Sequence, residues 1–302
     1  MRLKESILSN FIIIGAARSG TSAMTTFLRA HPDVRMPYKE PNYFSGWENR
    51  LKFAGPCYPP SHPPPPADFS TLDTYKALFA GTGEAQARGE ASVSYLIDAA
   101  TPERIAKTLP EVRLITLLRQ PAERSYAHFL HSRMEGIEPC SDFLATLRQD
   151  YERRKNNWHP KLSYVSGSHY AEPMARYFKY FARDRIRIHL YEDWNETPLV
   201  VWQDIMTYLD IDTGFVPDFS RRVNVSRLEN TSGKRGQLIR KVTRKLVPAS
   251  LRGTIRKLVE PGAPPPAKLD PGVRDELTER YFREDILRLQ EMLGRDLRCW
   301  LS

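Results

Sequence analysis

"FIIIGAARSGTSAM", residues 11–24, decides the fold: an apolar run of strand length breaks into a glycine turn and then a helix-forming stretch. Phe11 to Ile14 reads as a buried strand, Gly15 to Gly20 as a turn, and Thr21 to Ala30 as a helix that ends before His31-Pro32. Gly15, Gly20 and Ser22 keep the spacing of a phosphate-binding loop, G-x-x-x-x-G-K-[ST], but Thr21 stands where the lysine belongs. The amides of such a turn converge on an anion, and the helix N-terminus adds favourable partial charge. Arg18, inside the loop, supplies the missing cation, with Ser19, Thr21 and Ser22 as hydroxyl donors. The competing reading is a tight strand-to-helix turn with a solvated arginine.

Outward from that unit, "VRLITLLR", Val112 to Arg119, is a second apolar strand, followed by a helix opening at Pro121. "IRIHLYED" alternates from Ile186 to Tyr191 and reads as a third, half-buried strand. Helices are expected at Leu72 to Phe79, Pro102 to Leu109, Asp142 to Arg154, Tyr170 to Phe181, Pro198 to Leu209 and Val273 to Leu293. Strands alternating with helices predict an α/β protein: a P-loop-like three-layer fold with a central parallel sheet flanked by helices. Two proline clusters, Gly55 to Pro66 and Pro261 to Gly272, read as extended surface insertions. A triphosphate with magnesium calls for an acidic residue at a strand end, whereas Val112 to Leu118 runs into Arg119. A cation beside the switch-point crevice suggests a second anionic ligand group; the alternative is a surface arginine paired with Glu123, four residues on.

The chain has 302 residues, 41% hydrophobic and 27% charged, which are globular values. No apolar stretch approaches a membrane span and the start carries no secretion-signal pattern, so the expected location is the cytoplasm. Cys57, Cys140 and Cys299 are too scattered for a disulfide framework or a zinc site. The net charge of +9 is concentrated between Asn230 and Val259, which hold nine cations and no acidic residue; the remainder is close to neutral. That implies one local basic patch and no general preference for nucleic acid.

Five stretches together resemble the sulfotransferases that use 3'-phosphoadenosine 5'-phosphosulfate, in the bacterial branch similar to heparan sulfate sulfotransferases. They are "GAARSGTSAM", "HPDVRMPYKEPNYF", "GEASVSYL", "LITLLRQPAERSYAHF" and "LGRDLRCWL". The length fits a single domain over residues 1–302, with a proline-rich insertion at 55–66 and a basic segment at 233–258, and the resemblance spans most of the chain from Phe11 onward. The resemblance implies that Arg18, Ser19, Gly20, Thr21 and Ser22 cradle the 5'-phosphosulfate and that Arg119 binds the 3'-phosphate. The family's serine partner falls eight residues after that arginine, where Ala127 stands; Ser125 is the nearest serine and enters the cofactor set as the candidate replacement. The product is 3',5'-bisphosphoadenosine, and no metal is expected.

The chemistry implied is in-line displacement at sulfur, dominated by positioning and charge stabilisation. Arg18 then stabilises charge on the leaving phosphate. Glu40 in "YKEPNYF" is the candidate base, placed by Pro41 on an extended segment, with a solvated carboxylate paired to Lys39 as the bland alternative. Glu90 orients the acceptor or the base, or is a structural carboxylate. His128 and His131 read as a polar helix face. The expected partner is a hydroxyl-bearing acceptor: a glycan, a glycolipid or a small molecule. Trp47, Trp158 and His159 are candidate acceptor walls, and residues 233–258 a candidate contact with anionic lipid that would place the protein at the inner membrane. Three rivals stay open: a P-loop kinase or phosphotransferase, a basic membrane- or nucleic-acid-binding module, and an inactive family member.

Overall fold

The computed structural model describes residues 8–45, 53–55, 69–83, 85–220 and 268–301. Trp47, the proline-rich insertion beyond Gly55 and the basic segment 233–258 lie outside these residues. The strands are β1 (Phe11–Gly15), β2 (Val34–Arg35), β3 (Ala87–Ala91), β4 (Arg113–Leu118) and β5 (Ile186–Leu190). They form one sheet in the order β2-β3-β1-β4-β5, and every pairing is parallel. The helices that position the site are α1 (Thr21–Ala30), α2 (Leu72–Ala77), α3 (Thr101–Thr108), α4 (Pro121–Met134), α5 (Phe143–Arg148) and α6 (Asp150–Lys155). They continue with α7 (Ala171–Tyr180), α8 (Tyr191–Glu196), α9 (Pro198–Leu209), α10 (Pro271–Leu277) and α11 (Arg283–Leu293).

The period of two along a strand distributes the central apolar runs between two cores. Phe11 and Ile13 of β1, with Ile115 and Leu117 of β4, pack against Met24, Leu28, Trp202 and Ile205 of α1 and α9. Ile12 and Ile14, with Leu114 and Leu118, join the opposite cluster, which holds Ile105, Phe129, Met174 and Ile286. Covering both faces explains why β1 and β4 read as continuous apolar runs rather than alternating ones. The expected three-layer α/β fold is what forms.

Strand β3, "ARGEA", was not marked by any apolar pattern. It lies beside β1 because Gly89 has no side chain: a Cβ there would meet the Phe11 ring at 2.2 Å. The expected strand through Tyr191 stops at Leu190, and α8 starts at once. The expected helix 142–154 is two helices meeting at Gln149, the first capped by the Asp142 carboxylate, which accepts from the Ala145 amide at 3.2 Å. The last expected helix contains a π turn, Thr278–Phe282, between α10 and α11. There the Thr278 hydroxyl donates back to the Arg274 carbonyl at 2.8 Å and accepts from Gln120 Nε2 at 2.7 Å. A wide turn of this kind accommodates such an inserted contact.

Candidate active site

The β1–α1 turn sits at the carboxyl edge of the sheet, between β3 and β4. Its backbone enters the left-handed region at Arg18 (φ 68°) and Gly20 (φ 88°). Gly20 is needed for a second reason: the Tyr191 ring lies 3.2 Å from where its Cβ would be. The Ser19 side chain is fully buried, and its hydroxyl meets no hydrogen-bond partner among the described residues. A native interior rarely leaves a hydroxyl so placed unless a ligand or water completes it.

Arg119, at the end of β4, donates from Nη1 to the Arg18 carbonyl at 3.4 Å, and its guanidinium lies 4.6 Å from the centre of the Tyr191 ring. It also donates to Glu123 at 3.0 Å, so the ion pair offered as the alternative reading exists alongside the juxtaposition with the loop. Burial, and then the Arg119 charge, press the Arg18 pKa below its ordinary value. Two like charges held together in a desolvated place are the electrostatic mark of an anion site. Arg124 is almost fully buried and donates to Ser168 Oγ at 2.6 Å; burial lowers its pKa, with Arg119 acting in the same direction. Its only sequence signal was its place in "LRQPAER", five residues after Arg119.

Arg119 is braced from behind. Its carbonyl accepts from the Tyr170 hydroxyl at 2.9 Å, and the Tyr170 amide donates to Asp285 at 2.7 Å. The neighbouring Gln120 amide donates to Glu192 at 3.0 Å, and Gln120 Nε2 reaches the Trp300 carbonyl at 3.2 Å. Through the Trp300 carbonyl, the "LGRDLRCWL" stretch thus supports the arginine strand end.

Ser125 does not join Arg119. It is fully buried, its hydroxyl proton is committed to the Tyr164 carbonyl at 2.8 Å, and Ser168 Oγ lies at the same distance. Ser168 in turn accepts from Arg124 at 2.6 Å. Two helix positions from the family's serine, Ser125 faces the interior wall. The expected polar face of His128 and His131 is also not formed. His128 is buried edge-on to Tyr164 and held well below the usual histidine range by burial, then by Arg124 and Arg18, while His131 pairs with Glu135 at 3.2 Å.

The "KEPNYF" and "GEASVSYL" stretches dock on each other. Lys39 bridges to Ala91, and the Glu40 amide donates to the Ala91 carbonyl at 2.7 Å. The Asn42 amide donates to Ser92 Oγ at 3.1 Å, Ser94 donates to Asn42 Oδ1 at 2.6 Å, and the Phe44 amide donates to Tyr95 at 3.2 Å. Glu40 is not extended as expected but has φ 61°, one of five non-glycine residues with positive φ among those described, Arg18 being another. Its half-exposed carboxylate lies 3.6 Å from Lys39 Nζ, which in turn donates to Ser22 Oγ at 2.5 Å. Strain of this kind persists where surrounding contacts impose it, and it concentrates at functional positions.

Glu90 lies beneath this docked segment, fully buried, accepting from Ser92 at 2.7 Å. Burial raises its pKa from 4.5 to about 7, and the Glu40 charge pushes the same way. Between these two values the folded protein holds a proton that the unfolded chain has released, so stability falls as pH rises through that window, and the penalty is complete above it. Glu90→Gln removes the penalty. The variant is expected to gain about 2–3 kcal/mol on the parent near pH 8 and little near pH 4.5, read by urea denaturation.

A cleft of about 840 Å³ is lined by Asp98, Arg154, Trp158, His169, Arg176 and Arg288 among others, and neither Arg18, Arg119 nor Glu40 is part of that lining. Trp158, one of the expected acceptor walls, is therefore on it, whereas His159 is buried and accepts from the Lys161 amide. No helix among the described residues is long and apolar enough to cross a membrane.

The model of the sulfotransferase domain family matches residues 8–257. Bifunctional heparan sulfate N-deacetylase/N-sulfotransferase 2 of Bos taurus is 31% identical over 131 residues, 43% of this chain and 13% of that protein. Heparan sulfate glucosamine 3-O-sulfotransferase 6 of Mus musculus is 30% identical over 174 residues, 53% of this chain and 44% of that protein. The chain therefore spans less than half the length of these relatives. The crystal structure of a sulfotransferase from Alicyclobacillus acidocaldarius superposes with a TM-score of 0.72 at 26% identity, covering 98% of this chain and all of that one. By its family match and its fold, the chain belongs to the sulfotransferase domain family.

Proposed function

We propose that the protein transfers a sulfuryl group from 3'-phosphoadenosine 5'-phosphosulfate to the hydroxyl of a glycan, glycolipid or small molecule. The observation that carries this reading is the pair Arg18 and Arg119 at adjacent strand ends, beside a buried Ser19 hydroxyl with no partner among the described residues. Family membership favours sulfuryl transfer over the kinase alternative. The loop residues Arg18 to Ser22 hold the 5'-phosphosulfate in this proposal, and Arg119 holds the 3'-phosphate; Ser125 is not among the ligands. The acceptor oxygen attacks sulfur as its proton passes to Glu40. The bond from sulfur to the bridging phosphate oxygen breaks, and 3',5'-bisphosphoadenosine leaves with Arg18 against its developing charge. Residues 233–258 belong to the same proposal as a contact with anionic lipid, on their sequence alone.

Calorimetric titration with 3',5'-bisphosphoadenosine, without metal, tests the donor site. Arg18→Ala and Arg119→Ala are each expected to weaken binding by about 10- to 100-fold, the worth of a charged hydrogen bond. Binding of ATP with magnesium beside no binding of the bisphosphate would overturn the reading.

A further inference from the structure

The phosphate-binding spacing leaves the lysine position to Thr21, yet a lysine reaches the loop by another route. Lys39 comes from the segment after β2, held in register by its bridge to Ala91, and its ammonium donates to Ser22 Oγ at 2.5 Å. Ser22 is the residue that follows the missing lysine in the pattern. The same ammonium lies 3.6 Å from the Glu40 carboxylate, and the side chain is 28% exposed. An ion pair on the surface needs neither the loop hydroxyl nor a fixed backbone, and it is worth little. A cation fixed between the phosphate loop and the candidate base stands instead where a group in transit between them would carry its charge.

We infer that Lys39 shares the task of the missing loop lysine with Arg18, contacting the non-bridging sulfuryl oxygens of the donor while Arg18 serves the phosphate. The assignment rests on the donor and base proposed above. It divides the charges by position: Arg18 and Arg119 serve the phosphates, and Lys39 serves the sulfuryl end. An ammonium suits this task because its three donors swing between Ser22, Glu40 and a transferring oxygen without a preferred plane.

The division is measurable because the bisphosphate product lacks the sulfuryl group. The full chain, with Lys39→Met and Lys39→Arg, is titrated calorimetrically with 3'-phosphoadenosine 5'-phosphosulfate and, separately, with 3',5'-bisphosphoadenosine. Lys39→Met is expected to weaken donor binding by about 10-fold or more and bisphosphate binding by less than about 2-fold, with Lys39→Arg restoring most of the donor affinity. Thermal melts of both variants confirm that the fold is intact. Equal losses for the two ligands would make Lys39 a phosphate or structural residue, and no loss for the donor would make it a bystander; either overturns the inference. Wild-type protein that binds neither ligand would instead overturn the donor assignment on which it rests.

Discussion

Glu40→Gln is expected to lower kcat by about 10²- to 10⁴-fold, the usual contribution of a general base. The amide keeps the length of the side chain and tolerates the same left-handed backbone, so the docking of residues 39–45 on 91–95 survives. What disappears is the acceptor for the hydroxyl proton. Affinity for 3',5'-bisphosphoadenosine is expected to stay within about 2-fold of wild type, because the carboxylate repels rather than holds an anion. This separates Glu40 from Arg18, whose loss weakens binding as well. The check is steady-state turnover with any hydroxyl acceptor that the wild type accepts, beside a calorimetric titration. Turnover that survives intact would remove Glu40 as the base.

The largest expected effect on stability lies in the wall of the site. Glu138 and Arg153 are almost wholly enclosed and joined by two hydrogen bonds, of 2.6 and 3.1 Å. The Tyr164 hydroxyl and the Cys140 amide donate to the same carboxylate at 2.8 and 2.9 Å. Glu138→Ala leaves a buried guanidinium without its counter-charge and is expected to cost about 3–5 kcal/mol, read by urea denaturation. A loss below about 1 kcal/mol would place this pair with solvent-exposed ones. Because Tyr164 also carries the carbonyl that binds Ser125 and Ser168, this pair anchors the wall on which Arg124 rests.

The loop and its two arginines were legible in the sequence because their signals are local. A glycine at a strand-to-helix turn and a cation ending an apolar strand are read without knowing what lies opposite. Strand β3 was not legible, since "ARGEA" reveals its burial only when Phe11 fills the space above Gly89 and Ser92 satisfies part of Glu90. Lys39 looked like a partner for Glu40 alone, because nothing local shows that its segment folds back along Ala91 toward Ser22. Ser125 is the serine nearest Ala127 in sequence, but the helix turns its hydroxyl toward the Tyr164 carbonyl. Arg124 carried a charge in a helix, a pattern that ordinarily marks a solvated face, and only the packing of Ser168 and Tyr170 makes it interior.

The sheet order has a consequence for how the protein acquires its site. The central strand β1 has as neighbours β3 and β4, neither adjacent to it in sequence, and β4 in turn meets β5. Arg119 contacts the loop across 101 positions, and Gln120 beside it is tied to residues 158 and 180 positions further on. Each of these closures loses chain entropy before it returns any contact energy, which is the regime of slow folding. The corner where Arg119 meets the loop therefore closes only through contacts far apart in sequence, and a fragment carrying only the glycine loop and its helix would possess the motif without the second arginine.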